Sequence, residues 1–234
     1  DRYSYLAMIA PTIAAAGGLA LLAQRRSRAI PIAAAFAVIL GTLSVATWRQ
    51  TTVWENAMSL WAHAVRVRPG SIMAHINYGS NLSSADRTAE AAEHFRTATI
   101  LRPDDGRGWH QLGIALRRQG DFIGSEHAYR QAAKYLPQAY LPLVNLGVLL
   151  TNDLDSPDEG LEMYREAVRS IESPRPGSRF TAKPYLVLGR ALAIRGRPDE
   201  ARQVLLKALN HPKAEPEVRD EARRLMREFG LLDQ

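Results

Sequence analysis

Two hydrophobic patterns divide this chain. From Tyr5 to Trp48 the residues are nearly all Ala, Leu, Ile, Val and Gly, interrupted mainly at Gln24–Arg28. Beyond Arg49, apolar and charged residues alternate with a helical period, which gives each segment one apolar face. The second pattern also recurs. Gly79, Gly113 and Gly147 stand 34 residues apart, and so do Ala64, Ala98 and Ala132, and Pro69, Pro103 and Pro137. Ala57 and Ala91 keep the same step, and Trp61, Phe95 and Tyr129 place an aromatic in each period. A 34-residue period with small residues, an aromatic and a closing Pro in fixed phase predicts stacked helix–turn–helix units.

The fold class that follows is all-α. Residues 1–48 are expected to form a membrane segment with two transmembrane helices. Residues 49–70 fit a half-repeat, a second helix without its first: Trp54–Arg68 carries Ala57, Trp61 and Ala64 ahead of Pro69. Residues 71–212 hold four full repeats, and 213–234 a capping helix. In that cap Val218, Ala222, Leu225 and Phe229 form the apolar stripe, while Arg219, Arg223, Arg224 and Arg227 are expected to stay wet. The step from Gly147 to Gly189 is 42 residues. One extra residue falls in the turn around Asp153–Asp158. The remainder falls within Glu172–Lys183, a Pro- and Arg-containing connection that is either a tolerated insertion or a contact loop.

The pattern resembles the tetratricopeptide repeat. Trp109, Leu112-Gly113, Leu116, Gly120-Asp121, Tyr129, Ala132 and Pro137 match it closely in the second repeat. Tyr78-Gly79, Leu82, Ala91, Phe95, Ala98 and Pro103 match in the first, and Leu146-Gly147, Tyr164 and Ala167 in the third. Tyr185, Leu188-Gly189, Ala201, Leu205 and Ala208 match in the fourth. The resemblance implies a right-handed superhelix of paired antiparallel helices, with the first helix of each pair lining a concave groove. Small residues let paired helices approach and large ones fill the gaps. It also implies a protein or extended peptide as partner, held by a ladder of Asn-type side chains that donate and accept at once. The equivalent positions are Asn77, Gln111 and Asn145, with Val187 breaking the ladder; Arg107, His110, Arg117, Arg118 and Arg190 fall near the same face. The plainer alternative is that Asn is simply common at this helix position.

The two apolar stretches, Tyr5–Ala23 and Ala29–Trp48, each have the length needed to cross a hydrocarbon core of about 30 Å. Three Arg in the intervening loop would be costly in the bilayer centre. The positive-inside tendency puts Arg25, Arg26 and Arg28 in the cytoplasm, which predicts a multi-pass protein with an extracytoplasmic (periplasmic or lumenal) repeat domain. The lipid bilayer is thus an expected partner. A buried, Ala-rich helix pair in a soluble protein is the competing reading.

The formal charge of +6 divides evenly. Residues 1–48 hold four Arg against one Asp, and the rest holds 26 Lys+Arg against 23 Asp+Glu, leaving +3 in each part. No basic run is interleaved with aromatics, so no nucleic acid partner is expected. The absence of Cys excludes disulfides, thiolate metal sites and Cys nucleophiles. The six His form no pair at helical ligand spacing, so neither a metal nor another cofactor is inferred. Asp153, Asp155, Asp158 and Glu159 fit a turn and a helix N-terminus stabilised by negative charge. No catalytic residue stands out.

A second resemblance covers the chain in order. Asp1-Arg2-Tyr3-Ser4-Tyr5-Leu6 ahead of the first apolar stretch, and Trp48-Arg49-Gln50 and Trp54 after the second, are similar to the C-terminal part of membrane glycosyltransferase-like proteins of the protein O-mannosyltransferase type that carry tetratricopeptide repeats. The resemblance implies a parent that moves a sugar from a lipid-linked donor to protein, with Asp1 and Arg2 bordering the donor site. The acidic catalytic loop of such a parent would lie upstream of Asp1. The expected function is a membrane-tethered scaffold for protein or peptide partners. The alternative is the acceptor-recognition tail of such a glycosyltransferase.

Overall fold

The computed structural model describes residues 35, 38–48, 56–136, 140–173 and 180–232 of the chain. It divides into two units, Asp1–Leu60 and Trp61–Gln234. In the first, residues 38–48 are helical, and Val38, Ile39, Leu40, Leu43, Val45 and Trp48 all face outward at 45–69% exposure. Among the described residues no helix is long and apolar enough to cross a membrane. The expected span Tyr5–Ala23, the loop Gln24–Arg28, Asp1 and Arg2 lie outside the described residues. So does much of the expected span Ala29–Trp48.

Helix α1 (Ala57–Val67) is followed by four helix pairs: α2 (Ile72–Ser84) with α3 (Thr88–Leu101), α4 (Gly106–Arg118) with α5 (Phe122–Tyr135), α6 (Tyr140–Asn152) with α7 (Pro157–Glu172), and α8 (Lys183–Ile194) with α9 (Pro198–Asn210). Helix α10 (Pro216–Glu228) closes the series. From α2 onward each helix packs on the next, and α2 also packs on α4, α6 on α8, and α8 on α10. Every described element is helical, and the pairs stack as a solenoid.

Local chemistry starts and stops these helices. Ser71, Asp105 and Asp121 cap α2, α4 and α5 by accepting from Ala74, Arg107 and Gly124 backbone N–H groups. Helices α7 to α10 each carry a Pro at the first or second position, where its missing N–H costs nothing. The turn inside the second pair needs a left-handed residue, supplied by Gly120 (φ 81°), with Asp121 N–H reaching back to Leu116 C=O. One period earlier Asp86 (φ 60°) holds that conformation, with Arg87 N–H on Leu82 C=O. The extra residue of the third repeat is absorbed in the turn after α6, where Asp155 is left-handed (φ 50°) and Ser156 N–H bonds Leu150 C=O.

The core follows the 34-residue phase. Ala91, Ala98, Ala128, Ala132, Ala167, Ala201 and Ala208 are all but fully buried, and Phe95, Tyr129, Tyr164 and Leu205 fill the space between paired helices. Each of those four larger side chains lies against a glycine. A Cβ added at Gly79 would sit 2.7 Å from the Phe95 ring, at Gly113 2.6 Å from Tyr129, at Gly147 2.5 Å from Tyr164, and at Gly189 2.6 Å from Leu205. The glycines are there because the partner ring or branch occupies the place of a Cβ.

The cap departs from expectation at one residue. Val218, Ala222 and Leu225 are buried and Arg223, Arg224 and Arg227 exposed. Arg219 is half-buried, however, and its Nη2 donates to the carbonyls of His211 (3.0 Å) and Pro212. The His211 carbonyl already accepts the Ala214 N–H and has a second lone pair to offer, so Arg219 adds a donor to the two carbonyls of the turn after α9. Residues 174–179 of the expected flexible connection lie outside the described residues.

Candidate functional site

The first helices of successive pairs, α6 and α8, meet the cap α10 around a cleft of about 810 Å³. Val144, Val148, Leu186, Val187, Ala191 and Ile194 give its apolar surface. Apart from Ile194 these are partly buried against the C-terminal core, so an occupant would complete their burial. Charged side chains also line it, and both of its arginines are paired. Arg190 Nη2 donates to Glu221 Oε1 at 3.1 Å, and Arg195 pairs with Asp158. Lys183 and Glu217 border the same cleft.

A second cleft, of about 630 Å³, lies between α4 and α6 and is polar. Arg117, Arg118, Asn145 and Asp153 line it with Ile114, Phe122 and Tyr129. Arg117 Nε donates to Asp153 Oδ2 at 2.6 Å, tying the second repeat to the third. Asn145 Nδ2 donates to His110 Nε2 at 2.9 Å across the same boundary. Burial lowers the His110 pKa, so the ring stays neutral near pH 7 and Nε2 is free to accept. Arg118 reaches the other way, to Ser83 Oγ at 2.9 Å.

The sequence-derived groove residues therefore separate into three groups. Arg117, Arg118 and Asn145 come together in the polar cleft, with His110 bonded to Asn145 behind it. Arg190 lines the apolar cleft. Arg107, Asn77 and Gln111 line neither: Arg107 is held by Asp105 at 2.7 Å at the start of α4, and Asn77 contributes its backbone carbonyl to Asn81. Asn145 also spends an amide hydrogen inside the protein, which shortens any ladder. Sequence reasoning missed the apolar cleft. Val187, counted as a break in the ladder, is one of its walls. The signal was present in Tyr140–Asn152, which carries no charge on any face, whereas a helix with one buried face should be polar on the other. Among the described residues no cluster of three or more His, Cys, Asp or Glu could hold a metal ion.

Residues 110–178 match the family model described as Tetratricopeptide repeat. Over those residues the array is similar to that family. Among curated relatives the chain is similar to "Protein O-mannosyl-transferase TMTC3" of Homo sapiens, 24% identical over 187 residues. That match covers 74% of this chain and 20% of the relative, so the chain spans about a fifth of the length of that protein. Among solved structures it resembles the Pseudomonas aeruginosa pilF structure (TM-score 0.58, 18% identity, 83% of this chain and 82% of that one). It also resembles YrrB, described as a tetratricopeptide protein with an unusual peptide-binding site (TM-score 0.50, 15% identity, 74% and 85%). At these identities the structural likenesses speak for the fold.

Proposed function

We propose that this chain is a membrane-tethered tetratricopeptide scaffold that holds a protein or peptide partner on the extracytoplasmic side, in the cleft between α6, α8 and α10. The observation carrying this reading is the apolar surface of that cleft, on a helix face that a free-standing array would make polar. The chemistry of the cleft favours a helical partner segment. An extended chain would lay unpaired N–H and C=O groups on valine and leucine, at about 1–3 kcal/mol each, whereas a helix satisfies its own backbone. The outward-facing apolar side chains of residues 38–48 and the apolar composition of residues 5–48 support the tether, and the Arg-rich loop supports the orientation.

A second reading is favoured by the similarity to TMTC3 across 74% of the chain. In it, the scaffold is the acceptor-recognition end of a membrane glycosyltransferase that takes its sugar from a lipid-linked donor, and the same cleft holds the protein acceptor. Selection of displayed random peptides on the full chain in detergent tests the shared element. The peptides recovered should carry apolar residues at helical spacing and bind Val187→Asp at least about tenfold more weakly, the cost of placing a charge where apolar surface is buried. Recovery of no binders, or of binders indifferent to Val187→Asp, would sink the cleft as the binding surface.

A further inference from the structure

Two histidines face each other inside the first repeat, away from both clefts. His75 of α2 is buried and His94 of α3 half-buried, with their Nδ1 atoms 3.0 Å apart. A hydrogen bond at that distance needs one Nδ1 to carry the proton and the other to be bare. The second nitrogen of His75 shows which is which. Its Nε2 lies 2.9 Å from the Pro69 carbonyl oxygen, an acceptor only, so Nε2 bears a hydrogen.

The next repeat supports that assignment. One period on, Trp109 Nε1 donates to the Pro103 carbonyl at 2.8 Å, and an indole nitrogen can only donate. His75 therefore does for the first repeat what an indole N–H does for the second. With Nε2–H fixed, a neutral His75 has a bare Nδ1 and accepts from His94 Nδ1–H.

The pair can take one further proton without changing shape. Added at His94 Nε2, it leaves the Nδ1–H···Nδ1 bond intact. A second would have to go to His75 Nδ1, which would point two N–H groups at each other and bring two cations together. We propose that His75 and His94 form an acid-operated latch between α2 and α3, closed while the pair carries at most one extra proton and opened when it must carry two.

The surroundings are compatible with such a latch. On α3, Glu90 and Glu93 favour the charged form of His94; on α2, the Tyr78 ring stands edge-on to it. Burial and the His75 charge act the other way and prevail, so His94 titrates below the ordinary histidine range. Helix α4, packed on both α2 and α3, commits its charged side chains elsewhere: Arg107 to Asp105, Arg117 to Asp153 and Arg118 to Ser83. Arg66 of α1 bonds His63, Arg87 pairs with Glu90, and Arg68 stands in the turn beside Pro69. Folded His94 thus holds its extra proton less well than it does in the unfolded chain in mild acid. Stability is complete above the free-histidine pKa of about 6.5 and falls as pH drops below it.

The test uses the second repeat as its template. The positions equivalent to His75 and His94 there are Trp109 and Ala128, so the double substitution His75→Trp/His94→Ala gives the first repeat the residues of the second at both positions. Full chains in detergent are melted from about pH 7.5 to about pH 5. The wild-type Tm should fall about 3–5 °C further than that of the double variant, corresponding to roughly a tenfold difference in folding constant. Equal slopes would overturn the latch. If the variant does not fold, histidine-labelled wild-type protein decides by NMR. The latch requires a shared Nδ1–H resonance at neutral pH and a coupled titration of the two rings; independent titration of both near pH 6.5 overturns it.

Discussion

Replacing Gly113 by Ala tests whether helix pairing depends on the missing Cβ. Two effects oppose one another. Alanine is the better helix former by about 1 kcal/mol, so a glycine with space around it should gain from the change. At Gly113 there is no space: the new Cβ would lie 2.6 Å from both Cδ1 and Cε1 of Tyr129, about an ångström inside ordinary contact. Tyr129 is 2% exposed and cannot swing away. Relief requires α4 and α5 to part, and overpacking of this kind costs about 1–3 kcal/mol beyond the propensity gain. The Tm should fall by about 2–8 °C. Thermal melts of wild type, Gly113→Ala, Tyr129→Ala and the double variant measure it. The alanine at 113 should be harmful beside tyrosine and harmless or stabilising beside alanine, a coupling of about 1–3 kcal/mol. Gly70, in the turn after α1, where an added Cβ would meet nothing within 4 Å, controls for the added methyl without the helix-propensity gain. An unchanged or raised Tm for Gly113→Ala in the wild-type background would refute the packing argument.

Two further outcomes follow from the polar contacts. The side-chain hydrogen bond and charge of Arg107 hold the Asp105 carboxyl below the usual carboxylate range, so its contribution is complete above about pH 4 and is lost as pH falls through that lowered value. Asp105→Ala should cost about 1 kcal/mol at neutral pH and flatten the acid limb of the stability curve, read by denaturant titration at several pH values. Arg117 and Asp153, 33% and 20% exposed, should show a coupling of about 1 kcal/mol in a double-mutant cycle with Arg117→Gln and Asp153→Asn, reduced at high salt; additivity would show that the link contributes nothing.

The helical array was legible because its constraints are periodic. Gly79, Gly113 and Gly147 report one close approach made three times, and the 34-residue phase carries through the turns at Asp86 and Gly120 although different residues occupy them. The candidate site was less legible. A repeat pattern says which face a residue occupies and not what its neighbour one repeat away does with it. Asn145 is bonded to His110, 35 positions earlier, and Arg190 is paired with Glu221 on the cap. Such contacts run sideways between repeats, where single-helix periodicity holds no information. The apolar cleft has no counterpart in a ladder of amides, so Val187 interrupts the ladder and yet lines the cleft. The helical wheel of α10 places Arg219 in solvent because it holds no information about the carbonyls of the turn before it.

The polar seam between the second and third repeats bears on how the array can deform. Along the first-helix side, α2 packs on α4 and α6 on α8, whereas α4 and α6 face each other across a cleft bridged by Arg117–Asp153 and His110–Asn145. On the opposite side α5 still packs on α6. An elastic rod that is stiff along one edge and held by two short struts along the other bends at the struts. Changes in curvature at this joint therefore work against two hydrogen-bonded links, which salt and acidity can loosen.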